Sequence, residues 1–417
     1  MNKVIFPSKI KGALNAPASK SFMQRAIALA VVNEGNTKIL NPTYCDDAIA
    51  GLEIARNFGF KVSKDKEFVN LEKTSDIVPD RLMCGESGLA IRLFAPIVAL
   101  ASKQVELQAE GSLLKRPADF MEQTFKQLGV GLQTNNGFPP IKINGPISSN
   151  SADVDGSISS QFLSGLLIAL PKADMDTTLK VKQLMSIPYI DMTLAAIESF
   201  GGKIDYNADY SEFTIKGNQK YKADEYFIEG DWSGAAGLLV AGAIAGEITV
   251  ERLSTTSTQA DMAVLEAIEQ TGAIISKTAD TVTIKAPNEL KAFNFDALHC
   301  PDLFPVLTAL AANCKGVSRI NGVHRLTHKE SNRALALKEE FNKIGLRIDF
   351  EEDEMVIHGG EMRGAEVFAH NDHRIAMAMT LAAFNAEGEI TISGAECVNK
   401  TYPAFYDDML TLGAKIQ

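Results

Sequence analysis

The sequence predicts an α/β protein built from six repeated units, and three observations carry that prediction. Six glycines close six helix-like segments at nearly constant intervals. Six polar clusters open apolar segments with the same period. Between them, helical spacing of apolar residues gives way to the alternation of a strand.

The closing glycines stand in NFGFKV, QLGVGL, SFGGKI, QTGAII, KIGLRI and TLGAKI, as Gly59, Gly129, Gly201, Gly272, Gly345 and Gly413. Neighbours are separated by 70, 72, 71, 73 and 68 residues, a self-similarity that marks a repeat architecture. Each fits a left-handed helix end, where a side chain is disfavoured. Within a unit, a polar cluster opens an Ala- and Leu-rich helix, as in QFLSGLLIAL or RIAMAMTLAAF. A turn and an alternating strand follow, as in GEITVERL and GEITISGA. A second, amphipathic helix such as DMAVLEAIEQ leads to the glycine. Two short strands end the unit, reading like TIKG or VIHG.

The sixth unit runs out at Gln417 before its last strand, and the segment Val4 to Gly12 resembles the missing piece. The expected division is therefore a domain of units one to three, residues 19–229, and a discontinuous domain of units four to six, residues 230–417 closed by residues 1–18. An open tandem array would need caps instead.

Bulk properties narrow the partners. A chain of 417 residues exceeds one ordinary core. An apolar fraction of 46% with 22% charged residues is that of a globular protein. A net charge of −11 argues against nucleic acid or an anionic membrane as partner. An anionic substrate must then be held by a few local cations. The five cysteines, at 45, 84, 300, 314 and 397, show no CxxC spacing, so free buried thiols in a reducing cytoplasm are expected. No metal-ligand spacing is present, no membrane span is long enough, and MNKVIFPSKIKG has no apolar core of a secretory signal.

The opening clusters are SKS (19–21), GESG (85–88), SSQ (159–161), DWS (231–233), PDLF (301–304) and NDHR (371–374). Helix starts carry unpaired N–H groups and partial positive charge, so several converging on one face would bind a polyanion. Ser, Asp and Asn also serve there simply as caps, and capping is the preferred reading for DWS. It gives no reason for Lys20 or Arg374 in a first turn, where the dipole disfavours cations. HKESNR (328–333) is read as opening a helix with Lys329 and Arg333 at i and i+4. Their repulsion invites an anion between them, or is eased by Glu330.

Together these clusters resemble the 5-enolpyruvylshikimate-3-phosphate synthase family. ASKSFMQRA is similar to its SKS-x-x-x-R element, and GESGLAIRL to its N-x-G-T-x-x-R loop. GSISSQF, IPYIDMT, HKESNR, NDHR and VNKTYPAF match in type and order, from Lys20 to Lys400. The resemblance implies a two-domain inside-out α/β barrel of six β-α-β-α-β-β units, with the active site in the interdomain cleft. It implies transfer of the enolpyruvyl group of phosphoenolpyruvate to shikimate 3-phosphate by a monomer, without metal or organic cofactor. By motif, Lys20, Ser21, Arg25, Ser159, Ser160, Ser186, Asp302, Arg325 and Lys329 would bind shikimate 3-phosphate. Lys20, Gly88, Arg116, Gln161, Arg333, Arg374 and Lys400 would bind phosphoenolpyruvate. Asp302 would act as base, with Glu330 and Lys20 handling the proton at the methylene carbon. For Asp302 a cap role in CPDLF could coexist. At Glu330 neighbouring cations favour the ionised form and desolvation opposes it.

Three positions depart from the family pattern: Glu86 for asparagine, Leu89 for threonine, and Arg325 for an asparagine of some members. Glu86 is expected at a helix start, paired with Arg116 or Lys20. The alternatives are the sister transferase acting on UDP-N-acetylglucosamine and a non-catalytic anion-binding relative. The sister family has a reactive cysteine five residues before the arginine of its RP element, and Gly111 stands there. Presence of Lys20, Asp302 and Glu330 together weighs against a non-catalytic relative.

Overall fold

The computed structural model describes every residue except His328. The chain separates into two compact units, Lys20–Ile228 and a discontinuous one of Met1–Ser19 with Glu229–Gln417.

Two helices belong to each repeat. In the unit Lys20–Ile228 they are α1 (Lys20–Val32), α2 (Asp46–Asn57), α3 (Gly88–Val98), α4 (Glu122–Gln127), α5 (Ser160–Ala169) and α6 (Ile187–Ser199). In the other they are α7 (Trp232–Ala245), α8 (Val264–Gln270), α9 (Phe304–Ala312), α10 (Arg333–Lys343), α11 (His373–Ala383) and α12 (Phe405–Thr411). The first helix of each pair is apolar nearly all round, which suits only a helix buried on every side. Accordingly α1, α3 and α5 pack together as the core of one unit, and α7, α9 and α11 as that of the other. Their burial is so complete that exceptions are informative: α5 leaves only Gln161 unburied, α7 only Ser233, and α11 only Arg374.

Six four-stranded sheets cover these helices, all with one topology. A leading strand pairs parallel with a second, and two further strands add antiparallel; Arg81–Met83, Gln104–Gln108, Phe138–Asn144 and Gly131–Asn135 are an example. The six closing glycines have φ between +77° and +98°, the left-handed helix ends that the sequence predicts.

The N-terminal segment corrects one expectation. Val4 to Gly12 is not a single strand but parts of two. Asn2–Phe6 is the last strand of the sixth sheet, between Glu387–Ser393 and Lys415–Ile416, with Val4 and Gln417 exchanging backbone hydrogen bonds of 2.8 and 2.9 Å. Ile10–Asn15 instead pairs parallel with Gly246–Glu251 and leads the fourth sheet. The leading strand of the first sheet is correspondingly Glu225–Phe227, paired with Thr37–Leu40. Strands leading α1 and α7 are thus exchanged between units one and four, which no local sequence pattern signals. Among the described residues no helix is long and apolar enough to cross a membrane.

Candidate active site

In the unit Lys20–Ile228, side chains from the first turns sew the starts of α1, α3 and α5 together. Gln24 Nε2 donates to Ser87 Oγ (2.7 Å) and to the Asp47 carbonyl (2.9 Å), while Ser87 caps α3 through Ala90 N–H. Arg92 Nη1 donates to Gln161 Oε1 at 2.7 Å. Lys20, first residue of α1, pairs with the buried Asp47 carboxylate at 3.0 Å, which answers the dipole's disfavour of a cation there. Three positive helix ends therefore meet at one group of polar side chains, the arrangement that attracts anions.

Ser159 caps α5 by accepting the Gln161 N–H, and Ser160 is buried beside it. Their loop is tied to that of Ser186 by Gly156 N–H to the Lys182 carbonyl and Met185 N–H to the Gly156 carbonyl. Ser186 is left-handed (φ 58°), so the chain turns sharply into α6. Arg25 is 1% exposed and spends most donors on protein: Nε on Thr193 Oγ1 (2.8 Å), Nη1 on the Ser21 carbonyl (3.0 Å), Nη2 on the Tyr189 carbonyl (3.0 Å) and Ser164. Burial among these neutral acceptors pushes its guanidinium down to about 10, an environment that a ligand's negative charge would relieve.

Arg116 is buried with its guanidinium over Gly88, where a Cβ would lie 2.4 Å from Nη1. It ends the 3₁₀ turn Gly111–Lys115, and Glu86 anchors that turn. Glu86 Oε2 accepts the Ser112 N–H (2.9 Å) and hydroxyl (2.8 Å), and its carboxyl occupies the space where a Cβ on Gly111 (φ 49°) would sit. Ser112 thus fixes Glu86 against the 3₁₀ turn that leads to Arg116.

In the other unit, one carboxylate organises the cations. Asp302 lies in the 3₁₀ turn Pro301–Leu303 before α9. Oδ1 accepts from Arg333 Nη1 (3.1 Å) and Lys329 Nζ (3.3 Å), and Oδ2 from Arg374 Nη2 (3.0 Å). The helix α10 begins at Arg333, capped by Asn332, so Lys329 precedes the helix and is not one turn down it. Asp302 lies between Lys329 and Arg333 and eases their repulsion, and Glu330 adds to this as the sequence allows. His328, first residue of HKESNR, lies outside the described residues.

Arg333, 1% exposed, also holds Asp372 through Nε (2.9 Å) and Glu330 through Nη2 (2.6 Å). Burial alone would lower its pKa; Asp372, Glu330 and Asp302 outweigh that and keep it protonated. Lys329 is pushed below its usual range by burial, and Arg333 adds to the effect while Asp302 opposes it. Arg325 adds further positive charge beside Lys329. Lys400, buried, closes the 3₁₀ turn Ala395–Lys400.

DWS does more than cap. Asp231 caps α7 as expected, accepting the Ser233 N–H at 3.0 Å, but Ser233 Oγ also accepts from Arg374 Nη2 at 2.5 Å. Sequence reasoning also missed Asp47, Gln24, Thr193, Asp261 and Asp372 as organising groups. Asp47 reads as an ordinary first-turn acid and Asp261 as the polar side of an amphipathic helix. All five cysteines are buried and free.

Comparison with known proteins accords with this geometry. The family model described as EPSP synthase (3-phosphoshikimate 1-carboxyvinyltransferase) matches residues 5–409. Proteins named 3-phosphoshikimate 1-carboxyvinyltransferase are similar over almost the full length. That of Clostridium perfringens is 38% identical, with 99% of each chain covered. That of Methanosarcina acetivorans is 37% identical, covering 100% of this chain and 99% of the relative. The EPSP synthase of Acinetobacter baumannii superposes with a TM-score of 0.84 at 25% identity, covering 100% of this chain and 99% of that one. The enolpyruvyl transferase NikO of Streptomyces tendae, 17% identical with a TM-score of 0.82 over 100% and 98% of the two chains, shares the fold. The chain, with its six sheets around two triplets of buried helices, belongs to the EPSP synthase family.

Proposed function

We infer that the protein transfers the enolpyruvyl group of phosphoenolpyruvate to the 5-hydroxyl of shikimate 3-phosphate, releasing phosphate, on the shikimate pathway to chorismate. The observation that carries the residue-level reading is the Asp302 carboxylate shared by Lys329, Arg333 and Arg374. A carboxylate there stands in for a substrate anion, and an incoming polyanion competes with it for the same cations.

In this reading Ser159, Ser160 and Ser186 take the 3-phosphate, with Lys20, Ser21, Arg25, Arg325 and Lys329 supplying charge and hydrogen bonds. Phosphoenolpyruvate takes Arg116, Gln161, Arg333, Arg374 and Lys400, beside Gly88. Arginine suits bidentate contact with carboxylate and phosphate. Cations drawn to phosphoenolpyruvate leave Asp302 free to accept the 5-hydroxyl proton as that oxygen bonds to C2. Glu330 with Lys20 delivers a proton to C3. Elimination reverses the last step: C3 loses a proton, the C2–O bond to phosphate breaks, and the enolpyruvyl ether remains. In this reading the protein acts as a monomer in the cytoplasm.

Phosphorus NMR of a mixture of both substrates tests this. Inorganic phosphate should grow only as phosphoenolpyruvate falls, the 3-phosphate staying on the shikimate product. Loss of the 3-phosphate would contradict the assignment.

A further inference from the structure

Asp261 takes no part in the steps above, yet it is wired to them. It is 3% exposed, in the 3₁₀ turn Ala260–Ala263 ahead of α8. Its Oδ2 accepts the Ser233 hydroxyl, while Oδ1, also buried, meets no donor among the described residues. The same Ser233 oxygen accepts from Arg374, whose guanidinium holds both the carboxylate (3.0 Å) and the carbonyl (3.1 Å) of Asp302. A continuous chain thus runs from Asp261 through Ser233 and Arg374 to Asp302. The charged and titratable groups facing Asp261 are Asp231 from the cap of α7, Cys300 and Asp302 from the turn before α9, and Arg374 from α11.

We propose that Asp261 is a positioning residue for the reaction, holding Arg374 in place through the Ser233 hydroxyl and setting, by its charge, how strongly that corner attracts phosphoenolpyruvate. The proposal rests on the assignment of Arg374 to phosphoenolpyruvate. Burial, with the charges of Asp302 and Asp231, pushes the Asp261 carboxyl up to about 7 against the opposing pull of Arg374 and the Ser233 hydroxyl. An anion bound at Arg374 brings further negative charge and favours the neutral carboxyl. Because linkage is reciprocal, the protonated carboxyl must favour the anion. Affinity for phosphoenolpyruvate therefore falls as pH rises through the neutral range.

The test is KM for phosphoenolpyruvate at saturating shikimate 3-phosphate, from about pH 6 to about pH 8.5, in the wild type, Asp261→Asn and Ser233→Ala. The ratio between proteins at each pH cancels the substrate's own phosphate ionisation. Relative to Asp261→Asn, the wild-type KM should rise about three- to tenfold across the range, tenfold corresponding to one pKa unit of coupling. The change should fall on KM and spare kcat. Ser233→Ala, which keeps the titrating carboxyl but cuts the link, should raise KM at every pH. Parallel profiles in the wild type and Asp261→Asn overturn the proposal. If Asp261→Asn does not fold, a Ser233→Ala variant indistinguishable from wild type overturns it. Arg374→Gln separates the premises: an unchanged KM there removes Arg374 from phosphoenolpyruvate binding. A raised KM there, with parallel Asp261 profiles, sinks the Asp261 proposal alone.

Discussion

Asp302 illustrates how much one carboxylate does at the scale of a residue. Three cations converge on it, so its neutral isostere should leave shikimate 3-phosphate binding largely intact while cutting turnover by roughly 10²–10⁴-fold, the range for losing acid–base help. Calorimetry and steady-state rates on Asp302→Asn check this, and near-normal turnover would remove it from the mechanism. Glu86 leads to a different expectation. Its carboxyl fills the space beside Gly111 and accepts two bonds from Ser112, fixing the turn that ends at Arg116. Glu86→Ala should raise KM for phosphoenolpyruvate severalfold and lower Tm; an unchanged KM would show that Arg116 is placed independently of this turn. Asp261 adds a pH dependence of stability. Its folded pKa lies above the ordinary carboxylate value, so the folded protein keeps a proton that the unfolded chain has given up. Stability is then lost as pH rises from about 4 to about 7 and stays lost above. Asp261→Asn should melt higher than wild type at about pH 8, the difference vanishing towards about pH 4, as calorimetric scans would show.

At the scale of elements, the six closing glycines were legible because a left-handed helix end restricts residue type so strongly. They also offer a graded test. Gly59 and Gly272 share φ near +86°, but a Cβ at 59 would lie 2.3 Å from Ser75 Oγ, whereas none of its neighbours lies within 4 Å at 272. Gly272→Ala should cost only backbone strain, about 1 kcal/mol, and Gly59→Ala distinctly more, read from denaturant midpoints. Equal losses would mean that the 59 turn relaxes freely. The buried helices were legible as well, since they are apolar all round and begin with polar clusters. What the sequence hid at this scale is which side chains join those starts. Gln24 to Ser87, Arg92 to Gln161 and Ser233 to Arg374 are pairings far apart in sequence. Each residue alone looks like a cap or a polar first-turn residue. HKESNR misled for a related reason, because the helix begins only at Arg333.

Over the whole molecule, the repeat period announced the six units, but it could not reveal the exchange of leading strands. Ile10–Asn15 and Glu225–Phe227 look interchangeable in pattern, and only pairing with Gly246–Glu251 and Thr37–Leu40 distinguishes them. The N-terminal strand carries a consequence for stability. Asn2–Phe6 lies between Glu387–Ser393 and Lys415–Ile416, and its removal would leave two unpaired edges. Deleting residues 1–6 should therefore lower the Tm of the discontinuous unit sharply or leave the protein insoluble. An unshifted Tm would show that the sixth sheet does not depend on it. The central claim, that this constellation moves an enolpyruvyl group to a phosphorylated carbocyclic hydroxy acid, is tested most directly by phosphate release from phosphoenolpyruvate with each acceptor in turn. Release should be rapid with shikimate 3-phosphate and negligible with UDP-N-acetylglucosamine. Release with the nucleotide sugar instead, or with neither acceptor, would contradict the account.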